Sequence, residues 1–119
     1  MSYDFLMFKL KKPIQSHMDL SEDTTTVIGS GEEIKEKISA LLPSTKWRLS
    51  DDNWWGTYQG DDTWYEFSVE NKETNCFSIH TSFRTDTRNA VKEICDALGV
   101  VAFDGQAGKL IGSLSPNKS

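Results

Sequence analysis

Apolar positions along this chain change period several times, and each change marks a predicted element. Residues 3–10 (YDFLMFKL) are apolar at odd and even positions alike, apart from Asp4 and Lys9. A short run of that kind suits a central strand covered on both sides. Pro13 ends it. From Ile14 to Ile28 the pattern dissolves into Ser, Thr and Asp, which predicts a long loop. Ser30 then stands three residues before Glu33, the spacing of a capping box. Ile34, Ile38, Leu41 and Leu42 recur at helical spacing, so residues 31–42 are predicted to be an amphipathic helix stopped by Pro43.

A β-rich block follows. Trp47 and Leu49 alternate with Arg48, and residues 54–58 form a second short run broken by Gly56. Residues 59–62 carry a turn signal, with Gly60 free to take positive φ. Two period-2 runs, 64–69 and 76–83, flank the polar stretch 71–75 and predict an antiparallel hairpin. In the second, Phe77, Ile79, Thr81 and Phe83 share one face, opposite Cys76, Ser78, His80 and Ser82. Thr85 or Asp86 can cap a second helix whose apolar stripe is Ala90, Val91, Ile94, Cys95 and Leu98, with Gly99 at its C-terminal end. Residues 100–103 form a short apolar strand, 104–108 a turn, and 109–111 a closing strand. The expectation is a single α+β domain over 1–111, with a loose tail over 112–119. Its mainly antiparallel sheet would have about five strands, with two helices on one face, and a ferredoxin-like variant fits that order.

Size and composition narrow the class. A chain of 119 residues, 37% apolar, can fold around one core without metal or disulfide staples. No apolar run approaches the ~20 residues of a membrane span. Asp4 interrupts the first apolar run and Lys9, Lys11 and Lys12 follow it, the reverse of a signal peptide, so a cytoplasmic setting is expected. There Cys76 and Cys95 would remain thiols.

Charge changes the picture most between Ser50 and Glu73 (SDDNWWGTYQGDDTWYEFSVENKE). Seven carboxylates there (Asp51, Asp52, Asp61, Asp62, Glu66, Glu70 and Glu73) face one cation, Lys72. The local charge of −6 exceeds the −5 of the whole chain. Three of the four tryptophans, Trp54, Trp55 and Trp64, lie among those acids. Aromatic anchors rimmed by negative charge suit capture of a basic protein. The field has the wrong sign for nucleic acid. Trp47 is assigned to the core, while adjacent Trp54 and Trp55 must face opposite sides of any strand that holds both.

Other chemistry finds less support. The pairs Asp51/Asp52 and Asp61/Asp62 lack the calcium-loop spacing, and the two His and two Cys match no metal-ligand pattern. Glu66 and Glu70 need not share an environment, as a glycosidase pair must. Cys76 and His80 share a strand face but stand ~13 Å apart. Gly29-Ser30-Gly31 precedes two glutamates, which would repel a phosphate. No cofactor and no catalytic residue is therefore expected. The candidate partner-binding set is Asp51, Asp52, Trp54, Trp55, Asp61, Asp62, Trp64 and Glu66. A carbohydrate or other small ligand on exposed tryptophans is the alternative.

The two ends add a family likeness. The opening SYDFLMF and the closing GVVAFDGQAGKLI, with Asp104, Gln106 and Gly108 in an Asp-x-Gln-x-Gly turn before Leu110 and Ile111, resemble small bacterial immunity proteins. These belong to polymorphic-toxin and contact-dependent growth inhibition systems. The resemblance covers about a fifth of the chain and carries no site residue. It implies a cytoplasmic antidote that occludes one toxin domain. Many such toxins are nucleases with basic surfaces, which an acidic protein attracts.

Overall fold

The computed structural model describes residues 2–60, 63–82 and 87–114. Among these the chain forms ten strands and two α-helices. The strands are β1 (Ser2–Leu10), β2 (Thr25–Thr26), β3 (Gly29–Ser30), β4 (Lys46–Ser50), β5 (Asn53–Gln59), β6 (Trp64–Glu70), β7 (Glu73–Thr74), β8 (Cys76–Ser82), β9 (Val101–Asp104) and β10 (Lys109–Ile111). The helices are α1 (Gly31–Leu41) and α2 (Thr87–Leu98).

The main sheet runs β10-β9-β1-β8-β6-β5-β4, with β2 paired to the end of β1. Every pairing in it is antiparallel. This corrects the expected α+β fold with about five strands and a ferredoxin-like variant. The sheet has eight strands, and it dominates the molecule. The undercount has a physical cause. Segments such as Thr25–Thr26 and Lys109–Ile111 are too short to show a period, and pair only because longer strands lie beside them.

Helix α1 begins as its sequence dictates. The Ser30 hydroxyl accepts from the Glu33 N–H at 3.2 Å, and the Ser30 N–H donates to Glu33 Oε1 at 3.0 Å. The Ser30 backbone N–H, and after it the Ser30 hydroxyl, hold the Glu33 carboxyl below the usual carboxylate range. The Gly31 N–H donates to the Lys72 carbonyl, tying the helix start to the turn beside β7. A Cβ at Gly31 would come within 2.2 Å of the Glu70 carbonyl oxygen, so only glycine fits. Helix α2 ends on Gly99 at φ +69°, and the Val100 N–H returns to the Cys95 carbonyl in a Schellman bond. The predicted caps of α2, Thr85 and Asp86, lie outside the described residues, as do Asp61, Asp62 and Phe83.

Ile34 and Ile38 of α1 and Val91, Ile94, Cys95 and Leu98 of α2 bury themselves against Phe5, Met7, Phe67 and Ile79 of the sheet. That face is the main core. Burial lifts the Cys95 thiol to about 12, with the Asp96 charge adding to the effect, so it stays protonated at neutral pH. A smaller cluster forms on the opposite face at the β1–β9–β10 end. Leu10, Ile14 and Val101 are buried there, with Phe8, Leu20, Leu110 and Leu114 packed around them. The segment expected to be a plain loop after Pro13 thus covers part of the sheet. It contains a 3₁₀ turn at His17–Asp19, capped by Ser16, and His17 stacks on Phe103 at 5.1 Å. Residues 112–114, expected to be loose, close the same cluster through the Ile14 N–H to the Leu114 carbonyl, 2.9 Å.

The Asp-x-Gln-x-Gly turn at 104–108 is built on a fully buried aspartate. Asp104 Oδ1 accepts from the N–H groups of Gln106 and Ala107, both at 3.1 Å. Gly108, at φ +64°, donates to the Asp104 carbonyl.

Candidate functional site

Strand alternation divides the sheet's side chains between a helix-covered face and an open one. Register fixes which residues meet on the open side. One row runs Lys46, Thr57, Glu66, His80 and Asp4 across β4, β5, β6, β8 and β1. The next runs Arg48, Trp55, Ser68, Ser78 and Leu6. Trp64 lies beyond Glu66 on β6, and its indole sits 5.4 Å from the His80 ring, tilted at 54°. His80 Nδ1 also meets a carboxylate oxygen of Asp4.

This region is in contact with water. Trp55, Trp64 and His80 are half-buried, Asp4 and Glu66 are exposed, and Leu6 is 41% exposed. Neither helix reaches it, and the 11–24 segment covers only the β1–β9–β10 end. A shallow hollow beside β4 is lined by Lys46, Arg48, Trp55, Thr57 and Glu66, among others. The patch therefore holds two indoles and two carboxylates at its centre, with two cations along its β4 border.

The predicted site residues do not all gather here. Trp55, Trp64 and Glu66 do. Trp54 faces the helix side, where it packs on the core; its Nε1–H donates to Asn71 Oδ1 at 3.1 Å, and Lys35 Nζ lies 4.0 Å above its ring. Trp47, assigned to the core, is half-buried on that same side. It stacks on Phe67 and donates to Ser39 Oγ at 2.9 Å.

Asp51 and Asp52 form the two-residue turn between β4 and β5, both at positive φ (54° and 58°). That turn type favours Asn-Gly, so two aspartates there carry backbone strain. They stand at one end of the sheet beside Glu70, Asn71 and Lys72. The Asn71 N–H bonds to the Asp52 carbonyl, and Lys72 pairs with Glu70 at 3.1 Å. Gly60 and Thr63 close the opposite hairpin through a 2.8 Å bond, and Asp61 and Asp62, between them in sequence, lie outside the described residues. Asp51, Asp52 and Glu70 thus gather at the sheet end, and of the described acids in that set only Glu66 lies beside the open-face indoles.

Sequence reasoning missed Asp4, His80 and Leu6 as members of the patch. Their period-2 spacing on β1 and β8 was visible, but the cross-strand pairing joins residues 76 apart in the chain. Of the thiols, Cys76 lies on this same face of β8, half-buried, and burial raises its pKa, so it is a poor nucleophile. Among the described residues no three His, Cys, Asp or Glu side chains converge in a metal-binding group. No described helix is long and apolar enough to cross a membrane.

The chain matches no protein-family model, and comparison with curated proteins finds no match.

Proposed function

We propose that this chain is a non-enzymatic binding protein, an immunity protein that neutralises a basic toxin domain in the cytoplasm by covering its active surface. The observation that carries the reading is the presence of Trp55, Trp64, Glu66 and Asp4 together on the sheet face that neither described helix covers. Indoles give up a large wet area on docking at little entropic cost, and carboxylates beside them select Lys and Arg. Lys46 and Arg48 border the patch on one side and orient a partner whose positive charge must avoid them. Asp51, Asp52, Glu70 and Glu73 at the sheet end add long-range attraction without belonging to the contact centre.

The test is co-expression with a candidate toxin domain, one encoded beside this chain if gene context supplies it. The intact chain should restore growth, and Trp55→Ala/Trp64→Ala should not, although it folds. Rescue by the double variant at equal abundance would remove this face from the mechanism. Quenching of tryptophan emission by oligosaccharides, abolished by the same substitutions, would replace the protein partner with a sugar.

A further inference from the structure

Among the described residues the sheet ends at β4, with no strand paired beyond it. In an antiparallel ladder hydrogen-bonded pairs alternate with non-bonded ones. The tight 51–52 turn makes Ser50 and Asn53 a bonded pair, so Arg48 with Trp55 and Lys46 with Thr57 are bonded pairs as well. The main-chain N–H and C=O groups of Trp47 and Leu49 must then point outward, away from β5. Among the described residues no side chain reaches them. Such an edge is a template for another strand.

The side chains on either side of that edge are unlike. Toward the open face stand Lys46 and Arg48, both exposed. Toward the helix side stand Trp47, already committed to Ser39 and Phe67, and Leu49, an aliphatic side chain left 49% exposed. An added strand would place alternate residues next to these two sets.

We propose that the outer edge of β4 docks an extended segment of a partner protein in which acidic and apolar residues alternate. Its carboxylates lie beside Lys46 and Arg48, its apolar residues beside Leu49, and its main chain bonds to Trp47 and Leu49. Charge complementarity selects this occupant over a second copy of the chain. Two β4 edges paired so that Trp47 of each copy meets Leu49 of the other would set Arg48 against Arg48, and like charges directly opposite are destabilising. The site shares Lys46 and Arg48 with the border of the indole patch, but its main-chain groups point away from β5, and it stands whether or not that patch binds a toxin.

The experiment uses the full chain and a synthetic peptide of alternating glutamate and valine, with its lysine-for-glutamate counterpart as control. Hydrogen exchange should show new protection at the Trp47 and Leu49 amides with the acidic peptide and none with the basic one. Leu49→Pro removes an outward N–H and no ladder bond to β5, so the fold survives, as far-UV circular dichroism would report. It should weaken the peptide by about tenfold or more. Lys46→Glu/Arg48→Glu should exchange the preference, so that the basic peptide binds. Absence of protection at millimolar acidic peptide would overturn the proposal. So would equal binding of both peptides, or a self-associated dimer that dissociates in Leu49→Pro.

Discussion

On β6, Tyr65, Phe67 and Val69 point into the helix layer and are buried, while Trp64, Glu66 and Ser68 alternate with them toward water. The same division runs across β8, where Phe77 and Ile79 are buried and Ser78 and His80 are half-buried. One set of strands therefore carries two surfaces of different make-up. The helix-covered face is closed by aliphatic and aromatic packing and leaves little that another molecule can reach. The open face retains two half-buried indoles, an exposed leucine and a mixed set of charges. The stability of the protein should reside in the first face and its recognition in the second.

Truncation should separate the two most sharply. Phe67 is fully buried between the sheet and the helices. Phe67→Ala should cost about 3–5 kcal/mol in urea unfolding, enough to threaten a domain of this size. Gly56 sits between Phe67 and Trp47 on the same face, and a Cβ there would meet the Trp47 ring at 2.6 Å. Gly56→Ala should cost about 1–3 kcal/mol by overpacking. A neutral result at either position would mean that the helix-side layer is looser than described.

The α1 cap tests a smaller effect. Ser30→Ala should cost about 1 kcal/mol. Because Glu33 has a lowered pKa when folded, its ionised form favours folding above the ordinary carboxylate value. That contribution fades as pH falls through the lowered value. Glu33→Gln should therefore flatten the acid side of the stability profile, measured as the urea midpoint against pH. An unchanged profile would separate the carboxylate from the cap. Trp55→Ala should have the smallest effect, under about 1 kcal/mol, because the ring has water on one side. A loss as large as that of Phe67→Ala would erase the distinction between the faces.

How far the sequence carried this picture depended on range. The Ser30–Glu33 box, the α2 stripe and Gly99 are local devices, and the structure forms each where the spacing placed it. The strands β2, β3 and β7, two residues each, have no period of their own and exist through neighbours. The side taken by Trp54 depends on Lys35 and Asn71, which no local pattern links to it. The separation of Asp51 and Asp52 from Glu66 follows from strand direction. Acids close in sequence sit in a turn at one end of β5 while Glu66 lies along the neighbouring strand. Part of the charge concentrated along the chain gathers at the sheet end, away from the open-face indoles.

The most direct test of the division between faces is the affinity of the purified chain for the proposed toxin partner, by titration calorimetry, beside that of Trp55→Ala/Trp64→Ala. The account predicts a loss of about 2 kcal/mol or more per anchoring indole, with the unfolding midpoint nearly unchanged. Undiminished affinity in a folded double variant would contradict it.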